Sequence, residues 1–138
     1  MSAKWVADRQ TTIYSRVNGI LLSKLKRKYP TLIVTQDNAT PTKTQLPSIY
    51  IYFIGAYERG QTLDGTTINA VNMTAEVHVK TQNDNGAIDN NDIAWEVVDA
   101  FKTFGFTADM PPMATSNYDG VYESVSRFSR IIGQGDLI

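Results

Sequence analysis

Residues 46–55, LPSIYIYFIG, contain the feature that most limits how this chain can fold. Side chains of a β-strand alternate between its two faces, and β-branched and aromatic residues favour that conformation. Both faces of this segment are largely apolar: Ile49, Ile51 and Phe53 share one, and Tyr50, Tyr52 and Ile54 share the other. We therefore expect a strand that is central in a sheet or half-buried by a partner.

Amphipathic helices are predicted on either side of the strand-forming region. The first spans residues 8–29 and ends before Pro30, because the residue preceding a proline is disfavoured in helical conformation. The second spans 89–104, with Asp89 as its N-cap and Gly105 as its C-cap. The apolar stripes recur at three- and four-residue steps: Ile13, Val17, Ile20, Leu21 and Leu25 in the first, and Ile93, Val97, Phe101 and Phe104 in the second.

Further strands are predicted over 31–35, from about residue 66 to 80, and over 121–132. The segment 107–120, TADMPPMATSNYDG, is expected to cross over without regular structure. The resulting order is α-β-β-β-α-β. It predicts a single α+β domain over residues 1–138, with a mostly antiparallel sheet and two helices packed mainly on one face.

The composition supports a folded domain and argues against some partners. Of 138 residues, 42% are hydrophobic and 20% are charged, which is unlike a disordered chain. The net charge of −1 lacks the excess of cations that a duplex-DNA binder uses to displace counterions. The longest apolar run, around 49–57, is well short of the roughly 20 residues that cross a bilayer. We therefore expect neither specific nucleic-acid binding nor membrane insertion.

No catalytic or cofactor pattern is recognisable in the sequence. The one histidine, His78, is expected to be an exposed strand residue, and one histidine without cysteine supplies too few ligands for zinc. The acidic segment 81–92 fails as a calcium loop, because Thr81 stands where the first carboxylate should be. The glycines of 133–135 are followed by too few residues to form a phosphate-binding helix. We expect no enzymatic activity, no metal and no cofactor.

Four stretches together carry a resemblance that covers nearly the whole chain. They are LPSIYIYFIG, the long strand NAVNMTAEVHVKTQND, the helix DIAWEVVDAFKTFGF followed by DMPPM, and the closing SVSRFSRIIGQGDLI. In this order they resemble the tail-terminator proteins of long-tailed bacteriophages. The resemblance implies a structural virion protein, assembled in the host cytoplasm as a homohexameric ring on the end of the tail tube. Such a ring stops tube polymerisation, offers a joining surface to the head-side connector and lets DNA pass through.

A ring requires two different complementary patches on each subunit. Tyrosine and arginine are enriched at interface centres, and an apolar chain end needs an apolar site on its own subunit or on a neighbour. An alternative for the tyrosines is that they line an ordinary sheet face under a helix. An alternative for the arginines is simple exposure to solvent. The interface candidates are Tyr50, Tyr52, Tyr57, Arg127, Phe128, Arg130, Leu137 and Ile138. The polar loops predicted over 36–46 and 57–66 are also placed to reach tube or connector proteins.

Other functions remain open at this point. One is another phage neck protein, for tail completion or head closure, with similar size and different contacts. Another is an α+β domain, unrelated to phage, that binds a small molecule or a peptide. A hydrolase with a serine or acidic site is the reading that the residues favour least.

Overall fold

The structure, a computed structural model, describes residues 4–36, 46–61, 68–82, 86–115 and 120–136, without the side chains of 57–61, 68 and 69. Within these ranges the chain forms two helices and five strands. In chain order they are α1 (Lys4–Leu25), β1 (Ile33–Thr35), β2 (Ser48–Gln61), β3 (Ile68–Gln82), α2 (Gly86–Thr103), β4 (Thr107–Ala114) and β5 (Val121–Gly133).

The strands form one sheet with the spatial order β1-β2-β3-β5-β4. β1 and β2 are parallel, whereas β2 with β3, β3 with β5 and β4 with β5 are antiparallel. Helix α2 carries the chain away from β3, and β5 returns to pair with β3 along 13 residue pairs. The α+β class, the predicted element order and the mostly antiparallel sheet are confirmed.

Both helices pack on the same face of this sheet. The strand register places Ile51 opposite Val77 and Val77 opposite Ser126, so the buried residues of the three central strands form one surface. Full burial of each large aliphatic or aromatic side chain contributes about 1.5–3 kcal/mol. The residues that are 0% exposed include Ile13, Val17 and Leu21 of α1, Ile93, Val97 and Phe101 of α2, and Ile49, Ile51, Met73, Ala75, Val77 and Phe128 of the sheet.

The end of α2 is fixed by a left-handed glycine, as the sequence predicts. Gly105 has φ +80°, and its N–H bonds the carbonyl of Lys102 at 3.0 Å. The N–H of Phe106 bonds the carbonyl of Phe101 at 3.2 Å, and the two rings meet edge to face at 5.3 Å. This is the Schellman arrangement with its hydrophobic contact. The Phe101 ring also stacks on Phe128 at 4.5 Å, which ties the helix end to the sheet.

The prediction that residues 107–120 lack regular structure is wrong for 107–114, which form β4 at a sheet edge. The pairing with β5 breaks register on both sides of Met110, next to Pro111 and Pro112. Prolines lack the N–H that a central strand needs, but an edge strand tolerates them. Because of these prolines, the sequence pattern does not predict this strand.

The predicted helix boundaries are displaced toward the N-terminus. α1 begins at Lys4 and ends at Leu25, and α2 already begins at Gly86. Asp89 is therefore a first-turn residue of α2, and its prediction as N-cap is wrong. The hydroxyl of Tyr29 donates to Asp92 at 2.9 Å and to Asp89 at 3.4 Å, so these acids connect α2 to the segment that follows α1.

Candidate interaction surface

Polar and aromatic side chains cover the sheet face opposite the helices, here called the open face. Alternation along β2, β3 and β5 brings them there, because their neighbours in the strands point into the helix-covered core. Across the three central strands the open face carries Tyr50, Tyr52, Glu76, His78, Lys80, Glu123 and Arg127.

Glu76 lies at the centre of the open face and is nevertheless only 6% exposed. On β3 it is directly opposite Tyr52 of β2 and Arg127 of β5. The Tyr52 hydroxyl donates to Glu76 Oε2, and Arg127 Nε donates to Oε1 at 2.7 Å. Directly opposed cross-strand pairs are the closest neighbours in a sheet, so the strand register builds this cluster.

The hydrogen bonds of this cluster hold Glu76 ionised. Burial raises the pKa of a carboxyl group, but donors from Tyr52, His78 and Arg127 outweigh that effect here and lower the pKa of Glu76 to about 2. The same bond to Glu76, with burial, raises the pKa of Tyr52 to about 12. A neutral phenol therefore donates to a charged acceptor, which is among the stronger kinds of protein hydrogen bond.

His78 bridges two carboxylates on neighbouring strands. Its Nε2 lies 2.8 Å from Glu76 Oε2 on the same strand, and its Nδ1 lies 3.2 Å from Glu123 Oε2 on β5. Glu123 also accepts from Thr115 Oγ1 at 3.2 Å and lies 3.9 Å from Lys80 Nζ. The histidine is thus part of a charge network rather than the exposed strand residue that the sequence predicts.

Two tyrosines and the histidine form an aromatic surface beside the charges. The Tyr50 and Tyr52 rings stack with centroids 5.0 Å apart and planes 21° apart. The His78 ring lies 5.7 Å from Tyr50 and 6.2 Å from Tyr52. Stacked rings of this kind present rigid contact area, because few rotatable bonds remain to be ordered.

Arg127 is the most accessible charge of the network. Its side chain is 52% exposed and Nε is held by Glu76, which orients the planar guanidinium. Among the described residues, its two Nη atoms donate no hydrogen bond. An oriented guanidinium with a free edge can form paired hydrogen bonds to a carboxylate.

The predicted interface residues divide between the two faces. Tyr50, Tyr52 and Arg127 come together on the open face. Phe128 is 0% exposed and stacks on Phe101 under α2, so it is a core residue and its prediction as a surface residue is wrong. Arg130 lies on the helix-covered side, where Nη1 donates to the carbonyl of Phe104 at 2.6 Å.

The remaining candidates lie outside the described side chains. The backbone of Tyr57 pairs with Asn72, which extends β2 into the region predicted as a loop over 57–66. Leu137 and Ile138 lie outside the described residues. Just before them, the Asp136 carboxylate accepts from the Gly133 N–H at 2.8 Å, and Arg9 Nη2 donates to the Gln134 carbonyl at 2.9 Å.

Large apolar side chains are exposed on both outer surfaces of the domain. Ile131 and Met113 belong to the open face by strand register and are 59% and 55% exposed. Ile54, at the bulge of β2, is 45% exposed. On the helix side, Ile88 and Trp95 of α2 are 72% and 48% exposed. Exposed apolar groups that cluster with aromatic residues are typical of protein contact sites.

A cleft of about 210 Å³ lies between α2 and the strands β4 and β5. Its lining is mainly apolar and includes Ala94, Pro112 and Tyr122. Asn90 is buried at its base, where its amide donates to the carbonyls of Val79 at 2.9 Å and Tyr122 at 3.2 Å. The side-chain amide of Asn90 is therefore already engaged in hydrogen bonds to the backbone of the domain.

Within the described part of the chain, neither helix is long and apolar enough to cross a membrane. No three His, Cys, Asp or Glu side chains of the described ranges are grouped so as to hold a metal ion.

The sequence matches no known protein-family model, and a search of curated proteins finds no significant relative.

Proposed function

We propose that this protein is a structural subunit that forms a ring on the end of a phage tail tube, stops tube polymerisation and provides the surface for joining the head. The observation that carries the proposal is the open face, where Tyr50, Tyr52 and Arg127 form an ordered aromatic and cationic surface. Such residues are common at the centres of protein interfaces. The resemblance of the four sequence stretches supplies the identity of the partners.

The β4 edge of the sheet favours assembly through faces rather than strand addition. This strand contains Pro111 and Pro112 and has two register breaks, whereas in the described ranges β1 at the other edge pairs only with residues 48–50 of β2. Short strands, prolines and bulges discourage pairing with a further strand. At the β4 edge, contacts through the open face or the helix surface are therefore favoured over pairing with a further strand.

The proposal is tested by adding the protein to tail-tube subunits as they polymerise and measuring tube lengths by electron microscopy. A terminator shortens the tubes and leaves a ring of density at one end. Tubes of equal length with and without the protein would contradict the proposal.

A matched pair of variants separates a surface effect from loss of folding. Tyr50→Ala removes an aromatic side chain of the open face, whereas Ser15→Ala changes an exposed position of α1. We expect the first variant to lose tube capping and the second to retain it, with both chains folded by circular dichroism. If the Tyr50→Ala variant still capped tubes, the proposed role of the open face in capping would be contradicted. A neck protein for tail completion or head closure would leave tube length unchanged in this assay and would bind connector subunits in a separate binding experiment.

The cleft between α2, β4 and β5 favours a second candidate, an α+β domain that binds a small molecule or a short peptide. A volume of about 210 Å³ is below the size of typical drug-sized pockets and fits one apolar side chain or a small fragment. Ala87→Trp would fill the cleft from an exposed position of α2. If tube capping survives this variant, the cleft is not required for the structural role.

A further inference from the structure

We propose that the outer surface of α2 of one copy binds the open face of the next copy, with Trp95 and Asp99 of the first against Tyr52 and Arg127 of the second. This contact specifies how the proposed ring would be built and therefore rests on the proposed function.

The outer surface of α2 carries one continuous stripe. Ile88, Trp95 and Asp99 are exposed and recur at seven- and four-residue steps, which place them on one side of a helix. Trp95 is 48% exposed. Within the described residues, the Asp99 carboxylate has no hydrogen-bond or ion-pair partner, whereas Asp92 and Glu96 of the same helix pair with Lys28 and Lys24.

The open face has the complementary charge and similar apolar groups. The free Nη edge of Arg127 can donate paired hydrogen bonds to the Asp99 carboxylate of another copy. Ile131, four residues along β5 on the same face, is 59% exposed and offers apolar area to Trp95 or Ile88. Oriented Arg–carboxylate pairs next to aromatic residues have the composition of interface hot spots.

The two surfaces cannot meet within one chain. α2 packs its opposite side on the helix-covered face of the sheet, so Asp99 and the open face lie on opposite outer surfaces of the domain. From the helix and sheet dimensions, the backbones of the two surfaces are roughly 12 Å or more apart. A contact between different patches of two copies is heterologous, and it repeats until it closes into a ring or extends as a filament.

Cysteine cross-linking tests the contact directly, because the chain contains no cysteine of its own. Asp99→Cys marks the α2 surface. Ser129→Cys marks the open face two residues from Arg127, and no described hydrogen bond uses the Ser129 hydroxyl. We expect the two single variants, mixed under mild oxidation, to form a disulfide-linked heterodimer. The variant carrying both cysteines should form a ladder of covalent oligomers, since its own two thiols are too far apart to join.

The matched control replaces the α2 cysteine by Ser15→Cys on the exposed side of α1. We expect its mixture with Ser129→Cys to give several-fold less heterodimer. Equal cross-linking with the control, or homodimers of one variant only, would overturn the proposed contact. Separately, Trp95→Ala and Asp99→Arg should lower the solution mass toward that of one chain while leaving unchanged the thermal unfolding measured at protein concentrations low enough to dissociate the wild-type chain. Unchanged mass in both variants would also overturn it.

The experiments distinguish failure of the proposed contact from failure of the proposed function. Rings that cap tubes but show no specific cross-link between positions 99 and 129 would refute the contact alone. Specific cross-links with no effect on tube length would support the contact and refute the terminator function.

Discussion

Arg127 donates its Nε to Oε1 of Glu76 at 2.7 Å on a sheet face that neither helix covers. The two residues are direct cross-strand neighbours on β5 and β3. The carboxylate is nearly buried, whereas the guanidinium is half-exposed. Each therefore has a different role: Glu76 orients, and Arg127 presents a fixed edge to solvent.

Glu76→Gln should lower the free energy of unfolding by about 2–3 kcal/mol, because a neutral amide presents N–H groups to donors that need an acceptor. Glu123→Gln is the matched control. Its side chain is 17% exposed and its contacts are longer, so we expect a loss below about 1 kcal/mol. Urea unfolding of both variants measures the difference. Equal losses would mean that Glu76 is not the organising residue.

The contribution of Glu76 should disappear in acid. Its pKa is about 2 in the folded chain against 4.5 as the reference value, so the folded state binds its proton less readily. Stability from this group is therefore fully present above about pH 4.5 and is lost as the pH falls toward 2, by about 3 kcal/mol in total. The stability gap between the wild-type chain and Glu76→Gln, measured by urea unfolding across this range, should narrow. A constant gap would contradict the role of ionisation.

Two glycines in and after helices should respond to alanine in opposite directions. Gly105 has φ +80°, where a β-carbon costs about 1–2 kcal/mol, so Gly105→Ala should destabilise the chain. Gly19 is inside α1 and a β-carbon there meets nothing within 4 Å. Gly19→Ala should therefore stabilise the chain by about 0.5–1 kcal/mol. Thermal unfolding measures the change in stability of both variants. A change of the same sign in the two would contradict the role of Gly105 as the helix cap.

Two positions of β5 on opposite faces of the sheet should differ strongly in their tolerance of substitution. Phe128 is fully buried against Phe101, and Phe128→Ala should cost about 3–5 kcal/mol through lost burial and a cavity. Ile131 is 59% exposed on the opposite face, and Ile131→Thr should change the stability of the single chain by less than about 0.5 kcal/mol. Denaturant unfolding at low protein concentration measures both. A large loss for Ile131→Thr would indicate that the open face is covered within the subunit.

Local patterns were sufficient for most of the fold. The three- and four-residue apolar steps predicted both helices, and Gly105 predicted where α2 ends. The edge strand β4 was missed because Pro111 and Pro112 mask strand propensity, and only the pairing with β5 reveals it. Phe128 was placed among surface candidates because residue type cannot tell which of two faces a strand position occupies.

The open face contains one feature that the sequence predicts and another that only the tertiary structure reveals. Alternation along β3 already puts Glu76, His78 and Lys80 on one face, and that signal was available in the sequence. Their partners were not, since Arg127 and Glu123 come from a strand about 50 residues later whose register with β3 is a tertiary property. The sequence by itself determined both helices, the strands other than β4, their apolar faces and their chain order, because these depend on residues within a few positions of one another. Tertiary structure decided which strands are neighbours, and it alone brought a carboxylate, a phenol, an imidazole and a guanidinium together on the face that the helices leave uncovered.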